Sequence, residues 1–386
     1  MLDSLDYSKH TEAVARRILI APDKFKGTLT APEAARAIAT GWRQARPEDT
    51  VTLQPISDGG DGFGYLMAEA LNGKTIRCDA SNAAGQSTTA AYWLTPNQTA
   101  LIESANVIGL AILESSQRAP FENDSTGLGQ IIQHATSRGA KRLIIGIGGS
   151  ATNDGGFGMA RALGWEFLDS ATHPITQWPL LRQLQSINQP LNSSLPPITV
   201  AVDVQNPLLG PNGCTRIFGP QKGLTETDIS TAEDALENLA KIWQNHTGES
   251  VAQLPGTGAA GGLGFGLHCF GKADLQSGFA LFARTVRLTE KLTEADIVIT
   301  GEGGMDRQTV MGKGVGELAQ LARQYDCRCL AFAGTVDDVA ALESDFEQCR
   351  SLAEVTSSAE SLTQPARWLQ VLAQRTAKNF SETEPN

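Results

Sequence analysis

Apolar positions along the chain follow two alternating rhythms. Short continuous apolar runs predict strands at Arg17 to Ala21, Thr50 to Ile56, Leu143 to Gly146, Ile198 to Val202, Ala295 to Thr300 and Cys329 to Ala333. Between them, apolar residues recur at helical spacing. This predicts helices over Ala31 to Ala45, with Thr30 as cap, and over Gly62 to Leu71, Leu128 to Ser137 and Phe157 to Leu163. From Lys74 to Leu110 the rhythm shortens into alternating runs, read as an antiparallel meander. Alternation of strand and helix predicts an α/β fold, with a mostly parallel sheet and helices on both faces. The Pro-, Gln-, Asn- and Ser-rich stretch from Ala171 to Pro197 reads as an excursion.

Length adds domains to this picture. A chain of 386 residues, 41% hydrophobic, fits two domains better than one. The expected division is 17–75 with 285–386 as a discontinuous, Rossmann-like domain, and 76–284 as a mixed α/β domain inserted into it. A formal net charge of -11 argues against nucleic acid and against an anionic membrane as partners. A local basic pocket can still take an anionic small molecule. Cys78, Cys214, Cys269, Cys327, Cys329 and Cys349 form no Cys-x-x-Cys pair and read as reduced thiols of a cytoplasmic protein. Five scattered histidines have no metal-ligand spacing. No apolar stretch approaches a membrane span, and Met1 to Arg16 lacks the apolar core of a signal peptide. A homo-oligomer is left open.

The chemistry concentrates where strands end. The run from Leu143 to Ile145 breaks into Gly146-Ile147-Gly148-Gly149-Ser150-Ala151-Thr152-Asn153-Asp154-Gly155-Gly156, followed by a helix pattern. Glycines between a strand and a helix let backbone N–H groups approach a phosphate closely. Gly148, Gly149, Ser150, Thr152 and Asn153 are therefore the expected phosphate-binding residues. The plainer alternative is a tight turn in which Asn153 and Asp154 only cap the helix. Other strands end in Asp23-Lys24-Phe25-Lys26-Gly27, Ser57-Asp58-Gly59-Gly60-Asp61-Gly62, Asp203-Val204-Gln205-Asn206-Pro207 and Gly301-Glu302-Gly303-Gly304-Met305-Asp306. Ligands of parallel sheets bind beyond the carboxyl ends of the strands, so these loops are expected to converge. Asp, Glu, Lys and Asn among glycines suit phosphate and magnesium chemistry.

Each loop also has a structural reading. Asp58 and Asp61 fit ordinary Asp-Gly turns, and Lys24 and Lys26 fit solvated surface charges. Two glycine patterns fail on context. Gly256 to Gly261 has dinucleotide spacing but follows Leu254-Pro255 rather than a strand, and Gly304 to Lys313 lacks P-loop spacing. A stronger rival is Gly146-x-Gly148-x-x-Ala151, with Asp169 as a ribose ligand, which would make the protein a nicotinamide-dependent dehydrogenase of a small hydroxyacid. No His or Lys stands in an obvious hydride-transfer setting.

Taken together, the motifs resemble the class I bacterial glycerate kinases. The resemblance is carried by Ala21 to Ala31, Ser57 to Gly62, Gly146 to Gly156, Asp203 to Leu208, Gly210 to Gly213, Phe218 to Gly223, Pro255 to Gly262 and Ile299 to Gly303. It implies ATP- and Mg²⁺-dependent phosphorylation of D-glycerate to 2-phosphoglycerate, and two α/β domains with the active-site cleft between them. On this reading Asp203 is the expected base, with Asp58 next and Lys26 neutralising charge. Asp23, Lys26, Asn206 and Arg307 are expected to bind substrate, and Asp154, Glu302 and Asp306 to hold the metal. The chain departs from the family pattern at Lys24, where Ser is usual, and at Gly304, where Arg is usual. Arg307 replaces a small polar residue, and Gly314 stands near a usual Pro.

Overall fold

The computed structural model describes residues 15–25, 27–191, 194–310, 314–338, 342 and 344–380. Lys26, an expected catalytic and substrate-binding residue, lies outside the described residues. The chain divides into two compact units, 1–56 with 287–386 and 57–286.

The first unit carries a five-stranded, all-parallel sheet in the order β13-β12-β11-β1-β2. Its strands are β1 (Arg17–Ile20), β2 (Thr50–Leu53), β11 (Ile297–Met305), β12 (Arg328–Val336) and β13 (Gln348–Ser351). Burial of Ile18, Ile20, Ile297, Ile299, Leu330 and Phe332 joins the sheet to the helices Ala31–Ala45 and Pro365–Phe380. The first helix starts as its sequence requires. Thr30 accepts the Glu33 N–H, and the Glu33 carboxylate accepts the Thr30 N–H at 2.9 Å, a reciprocal capping box. β1 is an interior strand: the chain leaves it towards the edge strand β2 on one side, and β11 adjoins it on the other. That reversal is a topological switch point, the place where open α/β sheets admit ligands.

The second unit has a six-stranded mixed sheet in the order β10-β9-β6-β5-β4-β3. β3 (Lys74–Ser81), β4 (Ser87–Leu94) and β5 (Thr99–Glu103) pair antiparallel, as the short alternating runs predict. β5 also pairs parallel with β6 (Arg142–Gly146), which continues parallel to β9 (Ile198–Val202) and β10 (Asp274–Ser277). Within the excursion, β8 (Ser186–Asn188) forms a hairpin ladder with β7 (Glu166–Leu168), which precedes it.

The segment expected to close the first domain, Ser57 to Thr75, instead packs in the second unit. The helix Phe63–Ala70 buries Phe63, Leu66 and Met67 there, and a Cβ at Gly64 would stand 2.5 Å from the Trp93 ring of β4. The long helix Glu226–Thr247 and the helix Ala259–Gly271 complete this unit's core.

Candidate functional site

In the second unit, three loops meet at the carboxyl ends of the parallel strands. The Ser57–Gly62 loop crosses the ends of β6, β9 and β10. A Cβ at Gly59 would lie 3.3 Å from Ala201 of β9, one at Gly148 would lie 2.7 Å from the Gly60 backbone, and one at Gly278 would overlap the Asp58 carbonyl. Asp203 follows β9 directly and is exposed; Asp58 is half-buried and accepts the Gly60 N–H at 3.2 Å. Asn206 donates its amide to the Asn212 carbonyl at 2.8 Å, which holds the turn after Asp203. Asp58 and Asp203 thus share one sheet edge with Gly148 and Gly149.

The glycine loop splits into an open and a closed half. Gly148 is half-buried and Gly149 exposed. Gly149 has φ +75°, and a Cβ there would stand 2.4 Å from the Asp61 carboxylate, so both backbone and space demand glycine. Ser150, Thr152 and Asn153 are buried. Ser150 Oγ and Thr152 Oγ1 bond each other at 2.9 Å, and Asn153 Nδ2 donates to Thr215 Oγ1 at 3.1 Å. These side chains shape the loop from within and are turned away from solvent. The glycine density has a further cause: Gly155 N–H bonds the Gly261 carbonyl at 3.1 Å, and Gly156 lies against Gly266, so two helix starts pack backbone to backbone.

Asp154 does not fit a metal ligand. It is fully buried, and its oxygens accept the Ser125 N–H, the Ser125 hydroxyl, the Gly156 N–H and the Gly158 N–H. Burial, with the Asp124 charge second, pushes its carboxyl above the usual range, while the Ser125 and Gly158 hydrogen bonds pull the other way. The capping alternative describes this residue: it anchors the start of the helix Phe157–Ala162.

In the first unit, Asp23, in the loop just after β1, and Glu302, on the neighbouring β11, stand at the switch point. Asp23 N–H donates to the Gly301 carbonyl at 2.9 Å, and Thr300 Oγ1 donates to the Ala21 carbonyl at 2.8 Å. Asp23 is nearly buried, and its carboxylate accepts the Lys24 N–H at 2.7 Å. The buried Thr309 hydroxyl donates to Glu302 Oε1 at 2.8 Å and accepts the Asp306 backbone N–H at 3.2 Å, tying the Glu302 carboxylate and the Asp306 backbone to one side chain. Magnesium at a nucleotide needs only one or two protein carboxylates. Glu302 and Asp306, both half-buried, fit that donor set, although the described residues include no group of three or more metal-ligating side chains. Arg307 is exposed and pairs with Asp338 at 3.4 Å.

A family model described as the glycerate kinase family matches residues 18–381. The chain belongs to the glycerate kinase family. A glycerate kinase of Halalkalibacterium halodurans is 39% identical over 327 residues, covering 83% of this chain and 85% of its own. The glycerate 2-kinase of Escherichia coli K12 is 37% identical over 329 residues, with 83% and 86% covered. A crystal structure of a protein provisionally named glycerate kinase 2, from Salmonella typhimurium LT2, superposes with a TM-score of 0.80 at 34% identity, over 96% of this chain and 99% of that one.

This glycerate kinase therefore carries strand-end loops suited to a kinase. The dehydrogenase alternative is not favoured. After Gly146 the helix begins only at Phe157, and the Asp169 carboxylate is taken by its own turn, accepting the Ala171 and His173 N–H groups at 2.8 Å each. No described helix is long and apolar enough to cross a membrane, and the six cysteines are free. A cavity of about 570 Å³ beside the helix Glu226–Thr247 is lined by none of the expected site residues.

Two buried charged residues that hold these loops were not legible. Glu103 ends β5, is almost fully buried, and accepts the Gly62 and Gly64 N–H groups at 2.8 and 3.1 Å. It holds the end of the Asp58 loop and the start of the helix Phe63–Ala70. A carboxylate ending an apolar strand was the available signal. The other is Lys222, whose segment Phe218 to Gly223 enters only as one of the motifs of the resemblance, with no role given to the lysine.

Proposed function

We propose that this enzyme transfers the γ-phosphoryl group of ATP, with Mg²⁺, to D-glycerate, giving 2-phosphoglycerate by in-line displacement. The observation that carries the reading is the shared edge of the second unit's sheet, where Asp58, Asp203 and the open Gly148–Gly149 turn stand together. Phosphoryl transfer asks for positioning and charge neutralisation rather than covalent catalysis. Backbone N–H groups at Gly148 and Gly149 would cradle phosphate oxygens, since the buried side chains of Ser150, Thr152 and Asn153 fix the loop from beneath. Asp203, exposed at the end of β9, would accept a hydrogen bond from the attacking hydroxyl and orient it, with Asp58 as the neighbouring carboxylate. Glu302 and Asp306 of the first unit are the proposed Mg²⁺ ligands, and the ion would supply positive charge for phosphoryl chemistry. Asp23, Asn206 and Arg307 are the proposed substrate-binding residues.

The test is a coupled assay of ADP release with ATP, Mg²⁺ and a panel of small hydroxyacids, followed by NMR of the product. ADP is expected only when Mg²⁺ and D-glycerate are both present, with phosphate on the second carbon. Formation of NADH from glycerate and NAD, without ADP, would return the protein to the dehydrogenases.

A further inference from the structure

Lys222 is fully buried, yet no described carboxylate stands within ion-pair distance of it. Its Nζ donates to the Thr152 carbonyl at 2.6 Å. The space around that bond is kept clear: a Cβ at Gly261, which has φ +71°, would stand 2.0 Å from the Thr152 oxygen and 2.7 Å from Nζ. A lysine so placed is costly, because burial removes the solvation of its charge. Solvated lysines are the rule, and a structural contact to one carbonyl could be made by a neutral side chain. The position explains the charge better. Thr152 lies at the back of the glycine loop whose front is Gly148 and Gly149. A trans peptide sets the Asn153 N–H antiparallel to the Thr152 carbonyl, so an ammonium on that carbonyl orients the peptide dipole through the loop. Asn153 is held from the same side by Thr215, and Gly155 by Gly261.

We propose that Lys222 is a positioning residue for phosphoryl transfer: from beneath the glycine loop, it fixes the Thr152 peptide and lends positive potential to an anionic phosphate on the loop's open side. This rests on the reading that Gly148 to Asn153 is the phosphate loop. Two titratable groups act on it from the packed elements, Asp154 from the loop itself and Cys214 from the helix Cys214–Phe218; Glu233, on the helix Glu226–Thr247, acts on Cys214. Burial lowers the Lys222 pKa to about 8 against these charges, and pushes the Cys214 thiol up to about 12. Burial thus lowers the Lys222 ammonium and raises both the Asp154 carboxyl and the Cys214 thiol.

The experiment measures kcat and KM for ATP and for D-glycerate from pH 6.5 to 10, with melting temperature, in wild type, Lys222→Met and Lys222→Arg. Wild-type kcat/KM for ATP is expected to fall above pH ~8. Lys222→Met should lose at least tenfold in kcat/KM for ATP, with the glycerate KM little changed and the alkaline fall gone. Lys222→Arg should keep its charge and show no alkaline fall below pH 10. Stability should move the opposite way. The folded pKa is depressed, so between about 8 and the ordinary lysine value the unfolded chain holds a proton that the folded chain has lost, and stability relative to Lys222→Met rises with pH. A lysine that only braced the fold would lose stability and activity together. A flat wild-type profile, or a folded variant that keeps both wild-type kcat/KM and the alkaline fall, overturns the proposal. If neither variant folds, the wild-type profile decides: a fall near 8 supports it and a flat profile overturns it. Absence of ATP-dependent glycerate phosphorylation in the wild type would instead overturn the underlying reading.

Discussion

At the scale of single residues, carboxylates of similar sequence context have opposite jobs. Asp154 and Asp203 both follow an apolar strand and precede a turn. Asp154 is enclosed by four donors, whereas Asp203 reaches solvent at the sheet edge. Their amide variants should therefore part company. Asp203→Asn keeps shape and loses charge, so kcat should fall by ~10²–10⁴ with melting temperature and glycerate KM nearly unchanged. A near-normal kcat with a lowered melting temperature would make Asp203 a cap and Asp58 the leading base. Glu302 illustrates a third case, in which one buried threonine hydroxyl aims the carboxylate.

At the scale of elements, the Asp58 loop depends on a residue from another strand. The helix Phe63–Ala70 has left-handed Gly62 as its N-cap and no side-chain cap of its own. Glu103 of β5 supplies the acceptor, meeting the Gly62 and Gly64 N–H groups with its two oxygens. Negative charge at a helix start is worth ~0.3–1 kcal/mol, and more when partly buried. Glu103→Gln replaces one acceptor by an amide that points donors at a donor. Stability should drop by about 1–3 kcal/mol. Because the displaced loop carries Asp58, kcat should fall as well, and Glu103→Asp should restore part of both. Urea unfolding alongside steady-state kinetics measures the pair; a stability loss with kcat intact would confine Glu103 to the fold. By contrast, the Thr30 cap is fully local and was readable from the sequence, while the structure added its reciprocal partner Glu33.

At the scale of the whole molecule, the two units differ in how the chain builds them. The second unit's core, from Cys78 to Ala273, comes from one continuous stretch. The first unit's core joins Ile18 to Trp42 with Ile297 to Ala377, residues from both ends of the chain. A protein of residues 57–286 alone should fold, showing a cooperative thermal transition in calorimetry. Residues 1–56 alone should not, since Ile297, Leu330 and Leu369 are missing from their core. A featureless trace for 57–286 would mean that its stability depends on the rest of the chain.

The sequence by itself determined the strand and helix rhythm, the antiparallel run beside parallel strands, the Thr30 cap, the family, and the gathering of chemistry at strand ends. These follow from local periodicity, from turn chemistry and from ordered motifs. Tertiary structure alone decided that Ser57 to Ala70 belongs to the second unit, because that depends on Trp93 and Glu103, which are remote in sequence. It alone separated the open Gly148–Gly149 turn from the buried Ser150 to Asp154, and it turned Asp154 from an expected metal ligand into an anchor. It alone set Lys222 against Thr152, 70 residues away. Burial and hydrogen-bond partners are properties of non-local packing, so a motif shows which residue types are present, and packing settles which of them face a ligand.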